Sequence, residues 1–164
     1  MKTEKEPLSR GYFATVLALM GALPVASIAL ERAVASAPRD LPSAIGAWFI
    51  FWGIGVRLAT AGLRQIVQPS FTAREIFHHQ GAESETIVRE LGFANVCLGL
   101  TAILSLFAPG WRMAAAFGGG LYFGIAGLMH AIKRPATPNE WVALISDLFI
   151  FAIAAGWLAL QIAR

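Results

Sequence analysis

Five long apolar runs, each separated from the next by a short polar or Pro/Gly-containing stretch, organise the chain. They extend from about Tyr12 to Leu30, Ala44 to Leu63, Ile87 to Ala108, Trp111 to Ile132 and Trp141 to Ile162. About 20 apolar residues in a helix cross the hydrocarbon of a bilayer, and each run has that length. The runs are too long for strands and lack period-two alternation. The pattern predicts an all-α integral membrane bundle of about five transmembrane helices, a four-helix core plus an N-terminal helix, in a single domain over residues 1–164.

The breaks carry their own signals. Pro109-Gly110 separates the third run from the fourth and predicts a tight antiparallel hairpin. Thr137-Pro138-Asn139-Glu140 reads as a helix start, with Thr137 as N-cap, Pro138 in the first helical position and Glu140 closing a capping box. Trp141 and Trp157 fall near opposite ends of the fifth run, where interfacial rings belong. Pro24 predicts a kink in the first helix. The longest connection, 65–86, reads as an interfacial segment: Thr72-Ala73-Arg74-Glu75 is a candidate capping box, and Phe71, Ile76 and Phe77 give an apolar side. A plain polar loop is the alternative. The first run also has the basic start and the Ala35-Ser36-Ala37 site of a signal peptide. Its length, the interrupting Glu31 and Arg32, and Pro38 directly after the site favour a retained helix instead.

Composition agrees with lipid as the solvent. Hydrophobic residues make up 57% of the 164 residues and charged ones 14%, against a usual charged share of about 25%. The net charge of +3 comes from basic residues scattered singly between apolar runs, which argues against nucleic acid as a partner. With the N-terminus inside, the cytoplasmic face holds Lys2, Lys5, Arg10, Arg64, Arg74, Arg89, Lys133 and Arg134, and the outer face only Arg32, Arg39, Arg112 and Arg164. The positive-inside rule therefore predicts a multi-pass inner-membrane protein with a cytoplasmic N-terminus and an external C-terminus. The single cysteine, Cys97, rules out an intrachain disulfide and any cysteine-based zinc site, and reads as a small hydrophobe.

Ionisable groups inside apolar runs are costly and mark function by default. The chain offers Arg57, Glu90, His130 and Asp147, with Asn95 as a neutral polar companion. Arg57 lies roughly 10 Å before Arg64 at the end of the second helix. Glu90 falls near the start of the third helix and Asn95 about two turns in. His130 is near the end of the fourth, and Asp147 about two turns into the fifth. Because successive spans alternate direction, all five residues share one leaflet, the inner one under the charge rule. A polar pocket open toward the cytoplasm follows, with Arg57 neutralising Glu90 or Asp147 and His130 suited to proton exchange. An ion pair that merely pins helices together is the competing reading.

Helical phase refines this. Glu90 and Asn95 are about 140° apart. Glu90 aligns with Phe93, Ala94 and Cys97, whereas Asn95 aligns with Gly92, Gly99 and Ala102, a small-residue stripe that favours interhelical contact. Ala116, Gly120, Gly124 and Gly127 give the fourth helix a similar face. Gly118-Gly119-Gly120 is not a phosphate loop, since no strand precedes it and no Lys-Ser/Thr follows. His78 and His79 are adjacent rather than four apart and make a weak metal signal, so no metal site is assigned. No nucleophile elbow, HExxH or Walker motif is present.

The segment from Ile87 to Asn95, with Glu90-Leu91-Gly92-Phe93-Ala94-Asn95 and then Gly99, resembles the E-x-G-F-A-N signature of a family of small bacterial membrane proteins of unknown function. Ala126-Gly127-Leu128-Met129-His130 is similar to that family's Gly-x-x-x-His, and Asn139 with Asp147 to its last-helix aspartate. More loosely, the helical plan is similar to DoxX-type membrane proteins, some of which associate with respiratory or sulfur-oxidising systems. The resemblance implies no established activity. It singles out Glu90, Asn95, His130 and Asp147, and leaves Arg57 unmatched.

The resulting expectation is a small membrane protein that binds or passes a small molecule or proton at an inner-leaflet pocket. Two alternatives stand beside it. One is a redox-type membrane enzyme acting on a lipid-soluble substrate such as a quinone, with His130 as acid/base. The other is a structural or assembly subunit, whose glycine face on the fourth helix meets a second copy or a partner subunit. No cofactor is assigned.

Overall fold

In a computed structural model the chain is a bundle of five long helices, with no strand among the described residues, 7–73 and 81–163. The helices are α1 (Arg10–Val34), α2 (Leu41–Val67), α3 (Ala82–Leu104), α4 (Pro109–Lys133) and α5 (Pro138–Ile162), and each is long and apolar enough to cross a membrane. α2 packs along α3, and α4 along α5; α2 also touches α1, α4 and α5, which makes it the central helix. Half of its most apolar stretch is buried, against 17% for α1, so α1 lies at the periphery of a four-helix core. Large apolar side chains such as Phe107, Ile132 and Ile162 line the outside of the bundle.

Local signals set most helix ends. Asp40 caps α2 by accepting from the Ser43 N–H at 2.7 Å. The α5 capping box forms as expected: the Glu140 N–H donates to Thr137 Oγ1, and Glu140 Oε2 accepts from the Thr137 and Ala136 N–H groups. Ser9 caps α1, and its N–H donates to Asn139 Oδ1 at 2.9 Å, which ties the start of α1 to the start of α5. α3 differs from the expected range of 87–108. It begins five residues earlier, after Gly81 at φ +120°, and its first turn carries Glu83 and Glu85, whose charges complement the positive end of the helix dipole. It ends at Leu104, because Pro109 forces Ala108 out of helical backbone. α2 continues to Val67 and is followed by a single turn, Pro69–Phe71. The candidate capping box at Thr72–Glu75 and the pair His78 and His79 lie wholly or partly outside the described residues.

Two helices widen to i→i+5 turns. In α1 the widening spans Ala18–Ala22, and the Leu23 N–H reaches back to the Ala18 carbonyl just before Pro24, which has no N–H to give. In α2 it spans Ile50–Val56, and the Arg57 N–H reaches back to the Trp52 carbonyl. Each widened turn shifts the helical face that follows it by roughly 100°. The two segments lie against each other in the core.

The small-residue stripes are internal seams. A Cβ on Gly99 would sit 2.5 Å from the Ala59 backbone nitrogen, and one on Gly62 would sit 2.6 Å from the Gly92 carbonyl, so α2 and α3 meet backbone to backbone. The face of α4 is covered by α5: Gly120 meets Ala154, Gly124 the Phe151 ring and Gly127 Leu148, with Ala116 fully buried. This face is therefore occupied from within the chain. Trp157 is a correction. It is buried, 6% exposed, with its indole over Gly46 of α2, because only a residue without a side chain leaves room there. Trp141, at 52% exposed, does lie at the surface.

Candidate polar site within the bundle

α5 holds the centre of the site. Asp147 is 4% exposed, and its two carboxylate oxygens face different helices. Oδ1 accepts from Arg57 Nη2 at 2.7 Å, while Oδ2 lies 3.8 Å from His130 Nε2. Arg57 is placed by the widened turn that ends α2's Ile50–Val56 segment. Its Nη2 also donates to Ser146 Oγ at 3.2 Å, and its Nη1 meets Met20 Sδ at 3.8 Å, inside the widened turn of α1. The guanidinium lies over the Phe123 ring at 4.6 Å, so one face of the cation is held by a quadrupole rather than by water. Tyr12 of α1 is partly buried and lies at the same end of the bundle.

A second polar group is separate from the first. Asn95 is 2% exposed, and its Nδ2 donates to Gln65 Oε1 at 2.8 Å, joining α3 to α2. Asn95 Oδ1 is buried and has no hydrogen-bond partner among the described residues. All five helices thus contribute polar groups near the same end of the bundle. That end is where α1, α3 and α5 begin and α2 and α4 finish.

His130 is the exposed edge of the site. Its side chain is 37% exposed, and it lies near Glu140, the capping-box carboxylate at the start of α5. The order Glu140, His130, Asp147, Arg57 therefore runs from the surface to the interior.

Of the residues singled out in sequence, Arg57, His130 and Asp147 come together directly, and Asn95 is buried in a separate pair with Gln65. Glu90 does not. It is exposed and makes no hydrogen bond or ion pair among the described residues, on the same side of α3 as Phe93 and Cys97, which are also exposed. The opposite side, with Gly92, Asn95 and Gly99, is taken up by α2. Arg57 therefore pairs with Asp147 and not with Glu90. Sequence reasoning overlooked Met20, Gln65 and Ser146. No group of three His, Cys, Asp or Glu side chains fit to hold a metal occurs among the described residues.

The fold and site define a class: a small all-helical bundle with five helices of membrane-spanning length and a buried Arg–Asp–His cluster. The chain belongs to a family of unknown function, DUF6790, whose profile matches residues 11–164. Comparison with curated proteins and with solved structures found no match.

Proposed function

We propose that this chain is a multi-pass inner-membrane protein, with its N-terminus cytoplasmic and its C-terminus outside, that takes up a proton or a small polar ligand at the Asp147 site. The lipid bilayer is then its surroundings, and the five apolar helices with outward-facing Phe, Leu and Ile support that placement. The excess of Lys and Arg at the end holding the site supports the orientation.

One observation carries the functional reading. A buried carboxylate is shared between a fixed cation, Arg57, and an imidazole that reaches the surface, His130. A pair built only to pin helices has no need of the second oxygen's neighbour. Imidazole changes charge near neutral pH and suits delivery of a proton to the interior. Arg57 holds Asp147 in place, and its packing on Phe123 and Met20 keeps the guanidinium from swinging to solvent.

The test is proton entry into proteoliposomes that hold a pH-sensitive dye under an imposed pH gradient. The wild-type chain is expected to speed equilibration, and His130→Gln and Asp147→Asn to return it to the rate of empty vesicles. Equal rates for the wild-type and both folded variants would leave Asp147 as a static helix pin. Labelling of cysteines introduced at Lys5 and near Gln161 from either side of the membrane checks the orientation.

A further inference from the structure

α1 is held to the rest of the bundle unevenly along its length. From Leu23 to Val34 it is bonded firmly to α2. Ser27 Oγ accepts from Trp52 Nε1 at 3.0 Å, and one turn further on Glu31 accepts from Trp48 Nε1 at 2.6 Å. The two indoles are four residues apart and so are their two acceptors, which makes them matching rungs between antiparallel helices. Glu31 also accepts from Arg39 Nη1 at 2.8 Å and from the Arg39 N–H at 3.0 Å, which closes the α1–α2 connection into a second charged cluster. Pro24 and Ile28 of the same stretch are buried. From Arg10 to Leu17 the hold is slight. No residue of that stretch is buried, and Tyr12 and Val16, one turn apart, are half-buried. The stretch lies against α5, the helix that carries Asp147, and is tied to the start of α5 by the exposed bond from the Ser9 N–H to Asn139 Oδ1.

The widened turn Ala18–Ala22 separates the two stretches, and Pro24 follows it. A widened turn with a proline behind it is a place where helices bend, because the regular backbone ladder is interrupted there. Gly21 lies inside the turn with open space beside its α-carbon, so packing does not stiffen the backbone at that position. Met20, in the same turn, is buried and puts its Sδ 3.8 Å from Arg57 Nη1. The joint in α1 therefore lies against the cation that holds Asp147. Movement of Arg10–Leu17 about this joint breaks the exposed Ser9–Asn139 bond and leaves the bonds of Ser27 and Glu31 untouched.

We infer that Arg10–Leu17 is a gate: it swings on the Ala18–Ala22 turn while the rest of α1 stays fixed to α2, and its opening uncovers Arg57 and Asp147 from the side, toward the bilayer. The gate controls access to Asp147, so it rests on the reading of Asp147 as the working group of a membrane-spanning chain. The test uses the full-length chain in lipid vesicles, carrying Cys97→Ala, Ser9→Cys and Asn139→Cys. The vesicles are treated at mildly acidic pH with dicyclohexylcarbodiimide, a lipid-soluble reagent that modifies protonated carboxyl groups, and peptide mass spectrometry reads the modification of Asp147. Closing a short, reducible cross-link between the two cysteines is expected to lower labelling of Asp147 about tenfold by holding the closed state, and reducing it to restore labelling. Gly21→Ala, whose added methyl meets nothing, is expected to lower labelling about fivefold by favouring an unbroken helix, and it decides the question should the cysteine pair fail to fold. An uncross-linked chain in which Asp147 is not labelled overturns the gate. So does labelling that the closed cross-link leaves unchanged, or that Gly21→Ala leaves unchanged where the pair does not fold. Labelling reads access and not proton flux. A cross-link that blocks labelling, in a chain whose proton entry equals that of empty vesicles, keeps the gate and removes the proton reading.

Discussion

The two charged clusters solve the same problem in different ways. Glu31 is satisfied locally: its donors, Arg39 and Trp48, lie 8 and 17 residues away in sequence, on the connection to α2 and in its first turns. Asp147 is satisfied at a distance, by Arg57 from 90 residues away, while His130, on the helix before it, lies 3.8 Å from its other oxygen. The first arrangement closes one hairpin and survives any movement of the remaining helices. The second exists only while α2, α4 and α5 keep their relative positions. Its exposed edge is an imidazole, His130, whereas that of the first is the Arg39 guanidinium. A cluster assembled from three helices depends on how all three are placed, whereas one closed within a single hairpin depends on that hairpin alone.

Removing a partner from each cluster tests that contrast. Asp147→Ala is expected to have the largest effect, about 3–5 kcal/mol of lost stability, because it leaves Arg57 buried without a counter-charge. Reversible unfolding in mixed micelles measures it. Replacing both members, Arg57→Met with Asp147→Leu, is expected to recover most of that loss, and failure to recover would mean that the pair contributes specific stability of its own. Glu31→Gln is expected to cost less, about 1–2 kcal/mol, since Arg39 is partly exposed and can turn to solvent. A cost equal to that of Asp147→Ala would erase the distinction between local and distant closure. Ser146→Ala, which removes a hydroxyl acceptor at 3.2 Å from the charged Arg57 guanidinium while Asp147 stays in place, is expected to cost about 0.5–1 kcal/mol in the same assay. The smallest change is expected for His130→Gln, within about 0.5 kcal/mol, because its side chain is over a third exposed. A larger loss would mean that His130 is a structural partner of Asp147 rather than a proton carrier.

Much of the fold was legible because lipid-length apolar runs have few alternatives. The capping box at Thr137–Glu140 and the break at Pro109-Gly110 are decided by residues within a few positions, so sequence reasoning placed them well. The early start of α3 was missed because Ala82–Thr86 is polar, and hydropathy cannot see a helix that continues past the apolar run. Within the site, alternation of direction placed Arg57, His130 and Asp147 near one end correctly. Glu90 shows the limit of that argument: depth along a helix says nothing about which side of it faces inward. Helical phase already set Glu90 apart from Asn95, but only the packing of α2 against Gly92 and Gly99 decided which of the two faces was interior. Trp157 was misread for the same reason, since its neighbour Gly46 is over 100 residues away.

The amino-acid order alone determined five apolar helices, their turns and the shared depth of the ionisable groups, because length, periodicity and capping act over a few neighbouring residues. Tertiary structure alone decided that Asp147 lies between Arg57 and His130, that the glycine face of α4 is filled by α5, and that Ser27 and Glu31 tie the second half of α1 to α2. Those outcomes depend on how helices rotate about their own axes, which is set by backbone close approach at Gly62 and Gly99 and by widened turns that shift a face by roughly 100°.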